Sequence, residues 1–557
     1  MTEPFDVVVV GGGHNGLVAA GLLARRGARV TVLERRPEVG GAAITEQPFG
    51  PDYNVTALSY VVSLMPPTIV RELELEQHGY KVYPQHGYFV PYRDGGALQL
   101  PDHDPARRRA QIEQFSKADA DAYETWDLWL GGLADVLGPL LSVIPPRVGS
   151  RKPKDLVDQA QLAWKLRALG VRGIGDVTRL FTMSIADLLD EFFTSPQMQG
   201  VLAVSGVIGT WAGPRSAGTA YVMAHHKIGD ALSGQLPASP PLRSASPSSR
   251  DDGQLGSWGF PAGGMGGVTR ALRAAAEANG VVVRTGAPVA RIDVRNGCVR
   301  GATLASGEEL RADVVVAATH PQITFLDHVD RAELPADFVQ RMQQWKTRSG
   351  TVKVNLAVDR LPEFRARPGF DPEVHGGTIV LAESLDDIES AFQDAVGGRA
   401  AALPFADICI PSVFDRTLAP EGHHIVSMFT QWVPHAWAAS TPQSELDAYA
   451  DRVIARVNEV APGFTDSILH RQVIGPYEME HEYGLVGGNI FHGELSPDQM
   501  FHMRPAPGYA DFRTPVGGLY QASSATHGGG GVTGIPGLHA TKQIMRDRRK
   551  RRLRSRR

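Results

Sequence analysis

Short apolar runs alternate with glycine-rich breaks over the first 34 residues of the chain. The β-branched run from Phe5 to Val10 predicts a strand that is buried on both faces of a parallel sheet. Apolar residues then recur at helical spacing, at Leu17, Ala20, Leu23 and Ala24. This helix is predicted to end at Gly27, and Ala28 to Leu33 form a second apolar strand that ends on Glu34. The pattern therefore predicts a strand, a helix and a second parallel strand.

Three glycines separate the first predicted strand from the helix. Gly11, Gly13 and Gly16 have the spacing G-x-G-x-x-G. Gly11 permits a tight turn, Gly13 lets a diphosphate approach the backbone, and Gly16 lets the helix lie close to the strand. Glu34 follows about 20 residues later, where an acidic residue binds a ribose hydroxyl. Because a helix N-terminus favours an anion, the sequence predicts a dinucleotide site; the alternative is a glycine-rich turn in another α/β protein.

A second glycine pair, Gly40 and Gly41, closely follows Glu34. Two glycine sites so near each other favour one long cofactor, such as FAD, that lies across both. An ordinary turn is the alternative, and for this pair taken alone it is the stronger one.

Changes in periodicity divide the rest of the chain. The predicted segments are a first cofactor-domain segment (1–100), a mainly helical substrate region (101–255) with a Pro/Ser-rich surface loop (235–257), a second cofactor segment (256–330), a substrate-domain sheet (331–475), a third cofactor segment (476–545) and a basic tail (546–557). The predicted strands of the substrate-domain sheet are Val352–Val358, Thr378–Ala382, Ala406–Ile410 and His424–Thr430. In the third segment, the turn Gly528–Gly531 precedes a helix predicted to begin near Val532 or Thr533.

Composition narrows the class of protein. The 557 residues are 43% hydrophobic and 21% charged, which is enough for two or three cores of a globular protein. The net charge of −4 gives no reason to expect nucleic acid. Cys298 and Cys409 are far apart, so a disulfide scaffold, a cysteine zinc site and a dithiol reductase are not predicted, and no other metal site is. The uncharged stretch 192–214 is predicted to be buried or to wall an apolar pocket.

The location of the protein is predicted from its two ends. The chain opens on a buried strand with no signal peptide, so a cytoplasmic protein is expected. Nine basic residues stand between Arg546 and Arg557, and this end is predicted to be a disordered, solvated tail. The same charges could instead draw the protein to an anionic membrane surface.

Several motifs resemble one family. They are VVVVGGGHNGLVAA, LERRPEVGGAA, WGFPAGGMGG and ATHGGGGVTGIPG. Together they are similar to the bacterial phytoene desaturase superfamily of flavoproteins, and within it to the branch that contains pyridine nucleotide-disulfide oxidoreductase domain-containing protein 2. The resemblance implies an α/β fold with an α+β substrate part. It also implies a Rossmann-like FAD-binding domain of the amine-oxidase type with an interleaved substrate domain.

The resemblance also implies a set of FAD-binding residues. The diphosphate would lie among Gly11, Gly12, Gly13, Asn15 and Gly16, the ribose near Glu34 and Arg35, the flavin side near Gly40, Gly41 and Ala42, the adenine near Val289, and the isoalloxazine near Gly530, Gly531, Val532 and Thr533. Ala42 stands where relatives commonly have arginine. Ser523, Ser524 and Ala525 stand where many read Gly-Ala-Gly, which would narrow the cofactor groove.

The leading hypothesis for function is an FAD-dependent dehydrogenase or desaturase. It would take hydride from a C–H of an apolar substrate, with isoprenoids included, to flavin N5, and quinone or oxygen would be the electron acceptor. The alternatives are a flavin amine or amino-acid oxidase and a non-catalytic binding protein with this fold, which Ser523 and Ala525 favour slightly. No acid or base stands out: His527 is a weak candidate, and His481 and Tyr483 lie in a late polar stretch. The oligomeric state is not predicted.

Overall fold

The computed structural model describes residues 5–102, 104–167, 169–234 and 258–555. The Pro/Ser-rich loop predicted at 235–257 lies outside these residues. The strands are β1 (Val7–Val10), β2 (Val30–Leu33), β3 (Thr45–Glu46), β4 (Val55–Thr56), β5 (Val82–Pro84), β6 (His86–Pro91), β7 (Ala97–Leu100), β8 (Gly259–Pro261), β9 (Val282–Arg284), β10 (Val289–Arg295), β11 (Cys298–Leu304), β12 (Glu309–Arg311), β13 (Val314–Ala317), β14 (Thr351–Val358), β15 (Gly377–Leu381), β16 (Phe405–Cys409), β17 (His424–Gln431), β18 (Ile468–Ile474) and β19 (Leu519–Gln521). The α-helices are α1 (His14–Ala24), α2 (Pro67–Glu72), α3 (Pro105–Glu113), α4 (Lys117–Leu141), α5 (Pro153–Arg167), α6 (Gly170–Thr182), α7 (Ile185–Asp190), α8 (Pro196–Val207), α9 (Thr219–Gly234), α10 (Met265–Ala278), α11 (Ala336–Gln343), α12 (Pro372–His375), α13 (Leu385–Val396), α14 (Gln443–Val460), α15 (Pro476–His481) and α16 (Ile535–Ser555).

A parallel sheet carries the glycine motif at its centre. Its strand order is β19-β13-β1-β2-β9, and every pairing in it is parallel. All four valines of β1 are buried because α1, α10 and α16 and the neighbouring strands enclose them. The predicted βαβ unit is therefore confirmed. The sheet takes its strands from three stretches of sequence that are far apart.

A second, mainly antiparallel sheet faces the first domain. Its order is β18-β14-β17-β16-β15-β6-β7, and only the pairing of β15 with β6 is parallel within the described residues. The strands predicted in 331–475 are all present in it. Strands β6 and β7 also belong to this sheet, so the stretch 1–100 contributes to both sheets. The large core beneath the sheet is shared with α4, α7, α8 and α9.

The helical region behaves as its polar and apolar pattern predicts. Ser116 caps α4, because its Oγ accepts a hydrogen bond from Asp119 N at 3.1 Å. Helix α8 occupies the uncharged stretch 192–214 and is mostly buried. Among the described helices, none combines the length and the apolarity that crossing a bilayer requires.

The basic end is not the disordered tail that its composition predicts. Helix α16 begins at Ile535, after Val532 and Gly534 in the left-handed region, and continues through Ser555. Asp547 holds this helix to the parallel sheet. Its carboxylate accepts hydrogen bonds from Arg513 Nε at 2.8 Å, from Arg513 Nη2 at 2.7 Å and from the Tyr520 hydroxyl at 3.0 Å. Tertiary contacts of one acidic residue thus order a segment that its charge alone would leave in solvent.

Truncation separates the anchored turn from the rest of the basic end. Removal of residues 551–557 should leave the melting temperature and the flavin content unchanged. Removal of 546–557 should lower the free energy of unfolding by about 1 to 3 kcal/mol, because Arg513 loses its partner, while the flavin content stays the same. Thermal unfolding of both proteins, with Asp547→Asn in the full chain as the matched variant, measures this. Equal melting temperatures for all three would contradict the anchor.

Candidate active site

One cavity of about 510 Å³ lies between the two sheets. Most of the predicted cofactor residues line it, namely Gly11, Gly13, Asn15, Gly16, Glu34, Arg35, Gly40, Gly41, Ala42, Val289, Gly530, Gly531 and Val532. Gly12 and Thr533 stand behind the wall. The cavity therefore joins the start, the middle and the end of the sequence.

The glycine loop leaves room where a diphosphate would lie. A Cβ on Gly13 would meet only Gly40 O, at 4.0 Å, whereas a Cβ on Gly16 would lie 2.1 Å from Gly11 O. Gly13 is thus open toward the cavity, and Gly16 is required for the close packing of α1. Gly13 is also the N-cap of α1 and makes no side-chain cap, so the first N–H groups of the helix are available to an anion.

Glu34 and the second glycine pair are tied to the loop. Glu34 is buried, and its Oε2 accepts a hydrogen bond from Gly12 N at 2.7 Å while its Oε1 accepts one from Arg36 N at 2.9 Å. Gly40 N donates to Gly12 O at 3.0 Å. The carboxylate is therefore fixed at the end of β2, where a ribose hydroxyl can reach it.

Polar atoms around this part of the cavity lack hydrogen-bond partners within the described residues. They are His14 Nε2, Asn15 Oδ1, Arg36 Nη1 and His492 Nδ1. Buried polar groups are normally satisfied, so the set indicates a polar ligand. Burial lowers the pKa of His14 to about 4, and this ring is accordingly neutral. The donors, the acceptors and the open glycine loop fit the phosphates and ribose of FAD.

The turn before α16 forms another wall of the cavity. Val532 has φ of 55°, a strained conformation for a β-branched residue that costs about 1 to 3 kcal/mol. Thr533 Oγ1 accepts a hydrogen bond from Ile535 N, so Thr533 caps the helix. Ser524 lines the cavity, and its Oγ accepts a hydrogen bond from Asn15 Nδ2 at 3.0 Å. Ser523 and Ala525 do not line it, so of these three only Ser524 can narrow the groove.

The second sheet presents a lysine to the same cavity. Lys353 in β14 lies opposite Phe429 in β17, and Asp407 in β16 lies opposite the same phenylalanine, so all three share one face. Lys353 is 1% exposed, and its Nζ has no hydrogen-bond acceptor among the residues described. It stands 3.8 Å from the centre of the Tyr60 ring. Burial lowers the pKa of the Lys353 ammonium from 10.5 to about 7.

Asp407 is the acidic member of this row. Burial raises the pKa of its carboxyl to about 6, against the opposing effects of a hydrogen bond from Tyr60 and of the Lys353 charge. Its Oδ1 is without a hydrogen-bond partner in the described part of the chain. An acid and a base that titrate near neutrality thus face one buried cavity, which is typical of a reactive site. Sequence reasoning missed both, although a lone charge within an apolar strand is a usable signal.

The three side chains considered from sequence have other surroundings. His527 is buried outside the cavity lining, and its Nε2 lies 2.9 Å from Leu140 O, which favours a structural role. Burial lowers its pKa to about 4. His481 is exposed and stacks on Tyr477. Tyr483 does line the cavity, and its hydroxyl donates to Glu46 Oε2 at 2.8 Å.

Comparisons with known proteins agree with this geometry. Residues 9–69 match the NAD(P)-binding Rossmann-like domain, and residues 240–537 match the flavin containing amine oxidoreductase family. The chain is 36% identical to pyridine nucleotide-disulfide oxidoreductase domain-containing protein 2 of Rattus norvegicus, over 98% of this chain and 94% of that protein. It is 26% identical to a limonene dehydrogenase polypeptide of Castellaniella defragrans, over 97% and 94%.

Solved structures show the same fold. Cyclohexylamine oxidase from Brevibacterium oxydans aligns with a TM-score of 0.56 at 18% identity, over 98% of this chain and all of that chain. The α/β fold, the FAD cofactor and the resemblance to the branch of pyridine nucleotide-disulfide oxidoreductase domain-containing protein 2 are thereby confirmed. The chain belongs to the flavin-containing amine oxidoreductase family, and it is an FAD-dependent oxidoreductase.

Proposed function

We propose that the protein is a dehydrogenase or desaturase that oxidises a C–H bond of an apolar substrate, with isoprenoids as the first class to test. The observation that carries the proposal is the single cavity, which joins the glycine loop to the row of Lys353, Tyr60 and Asp407. When bound, FAD accepts hydride at N5 and passes the electrons to a second oxidant, a quinone or oxygen.

The substrate side of the cavity favours an apolar molecule. Its apolar and aromatic lining residues include Val61, Tyr88, Ile208, Trp258 and Phe429. The arginines among the described lining residues are Arg35 and Arg36, both on the glycine-loop side. Arg35 Nη2 donates to His481 O and Glu482 O, and Arg36 pairs with Glu46. No described guanidinium is therefore placed to pair with the carboxylate of an amino acid, which disfavours amino-acid oxidation.

Lys353 is the residue best placed to take a proton. Above pH 7 its amine is neutral in the folded protein and carries a free lone pair. A desaturation releases a hydride from one carbon and a proton from its neighbour, so the lysine would accept that proton. Asp407 and Tyr60 would hold a complementary charge beside it. The name of the relative from Castellaniella defragrans, a limonene dehydrogenase, supports a hydrocarbon substrate.

Amine oxidation is the second candidate function. The family description supports it, and so does Asp407, whose free Oδ1 could pair with a substrate ammonium. Lys353 stands in the same row and would repel that cation at any pH where it is protonated. An amine would therefore bind best as the neutral base.

Anaerobic flavin bleaching distinguishes the two substrate classes. We expect a panel of monoterpenes and longer isoprenoids to reduce the bound flavin and a panel of primary and secondary amines to leave it oxidised. The visible absorbance of the holoenzyme is the measurement. Bleaching by amines alone would overturn the proposal in favour of the second candidate. A protein that binds FAD and is bleached by neither panel would support the binding-protein alternative.

A further inference from the structure

Two consecutive helices present apolar side chains to solvent. The exposed residues are Leu156 (49%), Val157 (54%) and Trp164 (76%) on α5 and Val171 (91%) and Ile174 (49%) on α6. At helical spacing, those of α5 lie on one side, while the partly buried Asp155, Asp158 and Leu162 lie on the opposite side, which faces the protein. Helices of a globular protein normally bury their apolar side, so this outer face is reversed.

Basic residues surround the outer face. The segment 146–172 contains seven basic and two acidic residues, a surplus of five positive charges in a chain whose net charge is −4. Arg151, Lys152, Arg167 and Arg172 are all exposed. Lys152 also borders a groove that it shares with Lys542, Arg546 and Lys550 of α16. The basic end of the last helix therefore adds to the same positive region.

We propose that the outer face binds the surface of an anionic lipid bilayer. The five apolar side chains would enter the boundary between headgroups and acyl chains, while the basic rim contacts the headgroups. A second copy of the chain is a poor occupant, because two faces with the same positive surplus repel each other. The inference does not depend on the substrate. Helix α9, which packs on α6, also contributes His226 to the cavity, so the face lies close to the substrate side.

Vesicle binding by the full-length holoenzyme tests this surface. We expect the protein to sediment with vesicles that contain phosphatidylserine, to remain in solution with pure phosphatidylcholine, and to dissociate at high salt. The double variant Val171→Glu, Ile174→Glu should bind at least tenfold more weakly with unchanged flavin content and melting temperature. Val396→Glu, at an exposed apolar residue of α13, is the matched control and should bind normally.

Tryptophan fluorescence assigns the contact. The chain has 8 tryptophans, so Trp164→Phe identifies the signal of the outer face. Binding should shift the emission of the wild type to shorter wavelength, and Trp164→Phe should lose that shift. Wild-type protein that stays in solution with anionic vesicles, or a double variant that binds as tightly, would overturn the proposal. A wild-type dimer that the double variant dissociates would show that the face joins two copies instead.

Discussion

Replacement of Gly13 by glutamate should yield a folded, colourless protein. The new side chain would start from a Cβ that meets only Gly40 O, at 4.0 Å, so it can enter the cavity without moving the backbone. There its carboxylate would occupy the space of the diphosphate and repel it at the N-terminus of α1. We expect FAD affinity to fall by at least about 100-fold, which corresponds to about 2.7 kcal/mol. Visible absorbance and flavin released by heat measure the loss.

A matched glutamate distinguishes a local effect from a general one. Gly132 in α4 is exposed, and a Cβ there would meet no heavy atom within 4 Å in the described structure. Gly132→Glu adds the same charge and should keep its flavin. If Gly13→Glu retained a full flavin spectrum, the assignment of the glycine loop to the diphosphate would be wrong.

Replacement of Lys353 by methionine should nearly abolish flavin reduction and yet stabilise the fold. Methionine fills the space of the aliphatic stem but cannot accept a proton. We expect the rate of flavin reduction by substrate to fall by about 100-fold or more, within the usual range for a general base. In the wild type this rate should rise with pH through about 7 as Lys353 loses its proton. The variant should lack that rise, as stopped-flow reduction over a pH series would show.

The stability effect has a definite sign. The pKa of Lys353 is about 7 in the folded protein and 10.5 without the fold, so between these values the unfolded chain holds a proton that the folded protein does not. The wild-type free energy of unfolding should therefore rise with pH across this window. Methionine removes both the buried amine and this pH dependence. Near pH 7 we expect a gain on the order of 3 kcal/mol.

A surface lysine provides the control for Lys353. Lys346 is half exposed and pairs with Asp498 at 3.1 Å, so Lys346→Met should change stability and activity little. Denaturant titration of both variants at pH 7 and pH 9 measures the contrast. A destabilised Lys353→Met protein that keeps its activity would contradict both the burial argument and the proposed role of the amine.

Local order along the chain determined the cofactor half of the fold. The strand, the three glycines, the helix and Glu34 are close in sequence, and the backbone that connects them leaves few other arrangements. The glycine loop, the buried strands and the cap at Ser116 could therefore be predicted. The second sheet was also predicted strand by strand, because β-branched apolar runs favour buried strands.

Only the tertiary structure decided what faces what. Lys353, Tyr60 and Asp407 come from separate stretches, and strand register alone sets them on one side of the sheet. The basic end is helical because Asp547 meets Arg513 and Tyr520, a contact that its composition does not contain. Apolar spacing predicted helices at α5 and α6 but not the direction of their apolar sides. Periodicity fixes the relative positions of side chains on a helix, whereas packing against the rest of the molecule fixes which side meets solvent.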